Sequence, residues 1–332
     1  METGSLDTKP TRNLALDLVR VTESAALAAA RFMGRGDKNS ADNAAVEGMR
    51  LILNTVEMDG VIVIGEGEKD HAPMLYNGER LGTGVPPLLD IAVDPIDGTR
   101  PLAHGQGNSI ATVALAPRGA MFHPGPVFYM NKIAVGPQAK NAIDIEAPVK
   151  DNLDKIARAL GGDVKDLTVV ILDRERHKGL ITEVRRCGAR IRLIPDGDVA
   201  GALMAAMPES GIDVLMGTGG TPEGVLAACA MHALGGNLQA KLVVQTDEEK
   251  RRARQAGIDF TRVLTLYDLV SSEDVFFAAT GITNGDLLRG VDYKPHQAVT
   301  DSIVMRGLTG TVRRITATHR LDRLDRLSSI PY

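Results

Sequence analysis

Three times between residues 169 and 223 the sequence passes from an apolar strand through a polar turn into a helical segment, and this repeat constrains the fold more than any other feature. The first unit is Val169-Val170-Ile171-Leu172 followed by Asp173-Arg174-Glu175-Arg176-His177. The second is Ile191-Arg192-Leu193-Ile194 followed by Pro195-Asp196-Gly197-Asp198. The third is Val214-Leu215-Met216 followed by the glycine-rich run Gly217-Thr218-Gly219-Gly220-Thr221-Pro222-Glu223. Strands alternating with helices predict an α/β fold, a parallel sheet covered on both faces by helices. Ligands bind at the C-terminal edge of such a sheet. The polar residues of all three turns are therefore expected to converge on one site.

The first half is less regular. Leu14, Leu18, Val21, Ala25 and Ala28 recur at three- and four-residue steps, which predicts a helix closed by Gly34-Arg35-Gly36. A second helix, with Val46, Met49 and Leu53 as its apolar stripe, is expected to begin near Asp42, where an Asp can serve as an N-cap. Short apolar strands are expected at residues 61–64, 91–93 and 110–115, and an exposed charged helix at 247–256. Residues 302–306 and 311–316 flank Gly307-Leu308-Thr309-Gly310 and read as a β-hairpin. No linker separates independent domains. The expected organisation is a flexible tail at 1–12 and two subdomains, 13–165 with the Asp94-Pro95-Ile96-Asp97-Gly98-Thr99 motif and 166–332 with the three repeated turns, packed tightly together.

Composition excludes several functions. The net charge of −4, from 38 basic and 42 acidic residues, is too balanced for a nucleic-acid or membrane-surface protein. Aromatics are 3% with no Trp, which leaves no stacking platform for single strands. The Arg-rich stretch at 313–326 is interrupted by Asp322 and Asp325 and reads as solvated surface. The two cysteines, Cys187 and Cys229, form no Cys-x-x-Cys pair, so neither zinc nor a disulfide framework is expected. Residues 1–12 lack the apolar core of a secretory signal, and no apolar run approaches the ~20 residues that span a bilayer. A cytoplasmic setting is expected.

The chemistry lies in two constellations. The acidic one comprises Asp42, Glu66, Glu68, Asp70, Asp94 and Asp97, of which Glu66 and Asp94 directly follow strands. If those strands are neighbours, the carboxylates crowd, and two charges 4 Å apart repel by roughly 4 kcal/mol at an effective dielectric of 20. Such a cluster takes up protons or cations, and all-oxygen ligation selects Mg²⁺ or Mn²⁺. Taken alone, Asp42 or Asp70 is more simply a cap or turn residue. The motif Asp94-Pro95-Ile96-Asp97-Gly98-Thr99 resists that reading, because it sets two carboxylates, a stiff Pro, a permissive Gly and a hydroxyl together. In the second constellation Arg174 and Arg176 can grip a phosphate. Asp196 and Asp198 can accept hydrogen bonds from sugar hydroxyls. The turn at 217–220 offers backbone N–H groups near a helix start, with Glu223 in that helix's first turn.

These residues resemble the lithium-sensitive, metal-dependent sugar phosphatase superfamily, whose signature Asp94-Pro95-Ile96-Asp97-Gly98-Thr99 matches together with the upstream Gly65-Glu66. The closer resemblance is to the class II fructose-1,6-bisphosphatases of bacteria and covers nearly the whole chain. It is carried by Val21-Thr22-Glu23, Gly34-Arg35-Gly36-Asp37-Lys38-Asn39, Ile62-Val63-Ile64-Gly65-Glu66-Gly67-Glu68, Ala72-Pro73-Met74-Leu75-Tyr76, Asp196-Gly197-Asp198 and Pro222-Glu223-Gly224. The resemblance implies a layered α/β/α/β sandwich of two subdomains, assembled as a homo-oligomer (dimer or tetramer). It implies metal ligands at Asp42, Glu66, Asp94, Asp97 and Glu223. Substrate contacts are implied at Asp97, Gly98, Thr99, Tyr129, Arg174, Glu175, Arg176, Asp196, Gly197, Asp198 and Gly220. Asp97 stands where several members carry Glu, and Glu175 where Pro often separates the two arginines.

The expected reaction is in-line attack of water on the 1-phosphate of fructose 1,6-bisphosphate, with Mg²⁺ or Mn²⁺ as cofactor. Thr99, paired with Asp42 or Asp70, would orient the water. Rival substrates are sedoheptulose 1,7-bisphosphate and inositol phosphates. A non-catalytic sugar-phosphate sensor is the rival from another class, and it would need no water-activating centre.

Overall fold

The computed structural model describes residues 13–67, 74–324 and 326; the tail at 1–12 and the candidate carboxylates Glu68 and Asp70 lie outside the described residues. Helix α1 (Ala15–Ala30) buries Leu18, Val21, Ala25 and Ala28 as their spacing requires. It packs beside α2 (Lys38–Leu53). The N-cap of α2 is Asp37, whose carboxylate accepts the Ser40 N–H. Asp42 therefore lies a turn inside the helix and is no cap.

Strands β1 (Asp59–Ile64), β2 (Arg80–Leu81), β3 (Leu88–Asp97) and β4 (Ile110–Pro117) open the first sheet, with the short helix α3 (Thr99–Ala103) between β3 and β4. The chain then builds a second sheet from β5 (Tyr129–Val135), β6 (Thr168–Leu172), β7 (Arg190–Ile194), β8 (Val214–Gly220) and β9 (Asn237–Val243). Helices α4 (Val149–Leu160), α5 (Lys178–Cys187), α6 (Asp198–Ala206) and α7 (Thr221–Leu234) connect these strands, and the charged helix α8 (Asp247–Gln255) follows. Finally β10 (Phe276–Gly281), β11 (Asp292–Lys294), β12 (Gln297–Arg306) and β13 (Thr311–Arg320) return to the first sheet. Its order is β11-β12-β10-β4-β3-β1-β2, with β13 also paired to β12. The expected hairpin is β12–β13, turned at residues 307–310.

Two expectations change. A boundary at residue 165 cuts across both sheets, because β5 precedes it and belongs to the second sheet while β10–β13 follow it and belong to the first. The second sheet is mixed: β6, β7 and β8 run parallel as the repeat predicts, but β5 and β9 run antiparallel beside them, in the order β7-β6-β8-β5-β9.

Side-chain alternation sorts the sheets into layers. Ile91, Val93, Val113 and Ala278 face α1 and α2. From the opposite face, Ala92, Ala114, Phe277 and Met305 pack on α6 and α7, which also cover Met130, Ala134 and Leu215 of the second sheet. The outer face of that sheet, with Ile133, Val169, Ile171 and Met216, is closed by α4 and α5. The four expected layers are present and these two helices add a fifth. Among the described residues no helix is long and apolar enough to cross a membrane.

Candidate active site

Strands β1 and β3 are parallel neighbours, with Ile64 opposite Ala92. Glu66 and Asp94 each lie two residues further on, Glu66 just beyond β1 and Asp94 still within β3, so they stand at the same level on chains spaced about 4.8 Å apart. The pairing of β3 with β4 shifts between Asp94 and Asp97, a bulge that re-aims the end of the strand. Asp94 Oδ1 accepts the Ile96 N–H at 3.1 Å and braces it. The chain then turns at Gly98, whose φ of +101° lies in the left-handed region that favours glycine. Ser109 Oγ donates to the Gly98 carbonyl at 2.8 Å and locks the turn. Thr99 opens α3, with its hydroxyl donating to the Ile96 carbonyl at 3.3 Å and lying near enough to Asp42 to lower that carboxylate's pKa.

The second sheet supplies the opposite wall. Asp97, only 4% exposed, faces the first turn of α6, where the Ala200 N–H draws its pKa down a little. Glu223, in the first turn of α7, reaches the same acidic group. A side chain at Gly220 would collide with the Glu223 carboxylate, so glycine there permits the approach. The run at 217–220 is not the loop expected from the sequence. It is the end of β8, paired residue for residue with β5, Lys132 opposite Gly217 and Tyr129 opposite Gly220.

Negative charge accumulates at this seam. Burial pushes Asp94 and Asp97 well above the usual carboxylate range; Asp97, Glu223 and Glu66 push Asp94 further, and Asp198, Glu223 and Asp196 push Asp97. Glu223 rises to about 7, through burial first and Asp198 next, while Lys132 draws it down. Glu66 also rises to about 7, from loss of hydration and then from Asp42 and Glu223. Its side chain still opens on solvent, which makes repulsion the sturdier cause. Asp42 is raised by burial and held down by Thr99.

Asp97 Oδ2 and Glu223 Oε2 are shielded from solvent and have no hydrogen-bond partner. Unsatisfied, mutually repelling carboxylate oxygens suit a hard divalent cation. Among the described residues, no group of three or more His, Cys, Asp or Glu side chains is disposed to hold an ion as it stands. The donor chemistry fits, and a cation would have to gather these side chains around itself.

The substrate-side candidates gather at the ends of β6, β7 and β8. Arg174 donates to Asp196 Oδ1 at 2.8 Å. Arg176 grips the Thr218 carbonyl at 2.8 and 3.0 Å and lies 5.3 Å from the Tyr129 ring centroid. Gly197 caps α6 against the Asn108 carbonyl and Asp97, and Asp198 opens that helix. Glu175 differs: its side chain is 83% exposed and pairs with Lys178, so it joins none of these contacts.

Two contributors escaped the sequence reading. His177 donates from Nδ1 to the Leu172 carbonyl (2.7 Å) and accepts the Thr218 N–H at Nε2 (2.8 Å), which fixes one neutral tautomer and ties the arginine loop to β8. Lys132 forms a 2.5 Å ion pair with Asp198 in the middle layer. Its signal was present: Met130, Lys132 and Ala134 share one face of β5, and the outer two are core residues.

The geometry has counterparts among known proteins. Residues 12–319 match the family model described as bacterial fructose-1,6-bisphosphatase, glpX-encoded. The fructose-1,6-bisphosphatase 1 class 2 of Escherichia coli K12 is 48% identical over 327 residues, 95% of this chain and 97% of that protein. The fructose-1,6-bisphosphatases class 2 of Escherichia coli O6:H1 and Shigella flexneri match with the same identity and coverage.

Proposed function

Because the chain belongs to the bacterial, glpX-encoded fructose-1,6-bisphosphatase family, we propose that its seam of uncompensated carboxylates is the centre at which a metal-activated water attacks the sugar phosphate. The chain is a fructose-1,6-bisphosphatase: it hydrolyses fructose 1,6-bisphosphate to fructose 6-phosphate and phosphate, a step of gluconeogenesis. The observation that carries the site reading is the pair of shielded, partnerless oxygens on Asp97 and Glu223 within a group whose every member has a raised pKa.

Asp42, Glu66, Asp94, Asp97 and Glu223 would hold the cation, and Mg²⁺ or Mn²⁺ suits their hard oxygens. A bound divalent ion lowers the pKa of water and offsets charge on the transferring phosphoryl group. Thr99, whose hydroxyl holds the Asp42 pKa down, orients the attacking water, and Asp42 is the carboxylate toward which its proton passes. Asp70 is the alternative partner, from outside the described residues. Arg174 and Arg176 receive the distal 6-phosphate, held at the cleft by Asp196 and the Thr218 carbonyl. Asp196, Gly197 and Asp198 meet the sugar hydroxyls, and Asp97, Gly98, Thr99, Tyr129 and Gly220 complete the wall. Glu175 is left out of this set. A homo-oligomer in the cytoplasm fits the family resemblance and the two unpaired cysteines.

Phosphate release from fructose 1,6-bisphosphate, sedoheptulose 1,7-bisphosphate and an inositol monophosphate, each with Mg²⁺, Mn²⁺ or excess chelator, tests the reading. Cation-dependent turnover fastest on fructose 1,6-bisphosphate is the expected result. Release that persists in chelator would remove the metal from the mechanism, and binding without release would leave a sensor.

A further inference from the structure

We propose that Lys132 is a positioning residue, whose single ammonium sets the substrate-facing Asp198 and the metal-facing Glu223 in register with each other. This rests on the reading of the cleft given above. The ammonium is almost wholly enclosed: Lys132 and Asp198 side chains are 2% and 7% exposed, and Nζ lies 2.5 Å from Asp198 Oδ2. A second donor of the same group reaches the Gly220 carbonyl at 2.8 Å.

Each of these partners leads to a different acid of the metal group. Gly220 is the residue against which the Glu223 carboxylate rests, so fixing the Gly220 carbonyl fixes the junction of β8 and α7 from which Glu223 projects. Asp198 is the first residue of α6, and two residues on, the Ala200 N–H faces Asp97 and offsets part of the rise in its pKa. Space for the lysine is prepared by glycines. A Cβ at Gly224 would collide with Met130 Sδ and stand 3.3 Å from Lys132 Cδ, and one at Gly219 would stand 3.1 Å from Nζ and collide with Asp198. An enclosed Lys–Asp pair is a poor device for stability, since apolar residues of similar volume often do as well. Orienting groups behind metal ligands is a task for which such pairs are suited.

Charge and position predict opposite signs, which makes the test sharp. Lys132→Met keeps a long buried side chain and deletes a cation beside a cation site, which on charge alone tightens Mn²⁺ binding. Loss of position weakens it. We expect the Kd for Mn²⁺, measured by calorimetric titration without substrate, to rise about 10–100-fold, with KM for fructose 1,6-bisphosphate rising alongside. Ile133→Ala, on the opposite face of the same strand, is the control: it should lower the melting temperature and leave Mn²⁺ affinity unchanged. A folded Lys132→Met protein with unchanged or tighter Mn²⁺ binding overturns the proposal, as does an equal loss in Ile133→Ala.

Should Lys132→Met fail to fold, Asp198→Asn and the double variant Asp198→Asn/Lys132→Met carry the question, because the double variant removes both buried charges. Weaker Mn²⁺ binding in the double variant than in Asp198→Asn supports positioning. Equal affinity means that Lys132 only neutralises Asp198, and the proposal falls. Failure of the phosphatase reading shows separately, as no phosphate release from the unmodified enzyme, while the Mn²⁺ titration still reports on Lys132.

Discussion

The two walls of the cleft use the same acidic side chains and treat them in opposite ways. On the β1–β3 wall the charges that raise Asp94 are Asp97, Glu223 and Glu66, all negative. On the β6–β8 wall Asp196 is paired with Arg174 and Asp198 with Lys132. Arg176 is likewise held, on a backbone carbonyl. One wall is electrostatically incomplete and must be finished by cations from outside. The other, apart from Glu223 at its edge, has its acids paired by the chain itself and stands ready for an anion. The difference teaches that acidic residues near a phosphatase centre do not share one role: their partners, rather than their type, divide ligand from scaffold.

The largest effect that could break this comparison is metal removal. Excess chelator should abolish phosphate release, and added Mg²⁺ or Mn²⁺ should restore it. Next in size is Thr99→Ala, which deletes the hydroxyl beside Asp42 and leaves both walls otherwise intact. Turnover should fall about 10²–10⁴-fold, the usual worth of general acid–base assistance, with Mn²⁺ affinity little changed. Thr99→Ser should keep measurable activity. A stable Thr99→Ala protein with near-normal kcat would reduce Thr99 to a turn residue after Gly98.

The incomplete wall was legible in the sequence and much of the complete wall was not. Glu66 and Asp94 each come at the end of an apolar run, so local pattern places them, although β3 continues through Asp94 to Asp97, and only the adjacency of β1 and β3 remained to be seen. Asp42 was ambiguous until Asp37 was found to cap α2. On the other wall, the role of 217–220 depends on pairing with β5, 85 to 91 residues away in register. Pairing across that distance leaves no local mark, and glycines invite a loop assignment. The return of β10–β13 to the first sheet was hidden for the same reason. Lys132 is an ordinary surface residue by type, and only its parity with Met130 and Ala134 betrays its burial.

The arginines sharpen the comparison from the finished side. Hydrogen bonds to a charged partner contribute about 1.5–3 kcal/mol, or roughly 10–100-fold in affinity. Arg174→Ala and Arg176→Ala should each raise KM for fructose 1,6-bisphosphate by about that factor. A monophosphate lacking the distal group should be affected far less. Equal losses on both substrates would show that the arginines serve the fold, through Asp196 and Thr218, and leave the anion to other groups.

The smallest effect concerns Glu175, which stands between those arginines. Its carboxylate is the one acid of the Arg174–Arg176 loop, so a reading from sequence position alone makes it a neighbour of the substrate phosphate. There it would repel the anion, and Glu175→Ala would lower KM. The structure gives it a different setting: an exposed ion pair with Lys178 at 2.7 Å, one helical turn along. Exposed pairs of this kind contribute about 0–1 kcal/mol, so Glu175→Ala should leave the melting temperature almost unmoved and KM and kcat within about twofold, an energy of ~0.4 kcal/mol. Measuring both constants on fructose 1,6-bisphosphate, alongside the melting curve, separates the cases. A KM that falls several-fold would mean that the loop folds inward over the bound phosphate and carries Glu175 with it. The β6–β8 wall would then be completed only when substrate arrives, and the contrast with the metal wall would be one of degree.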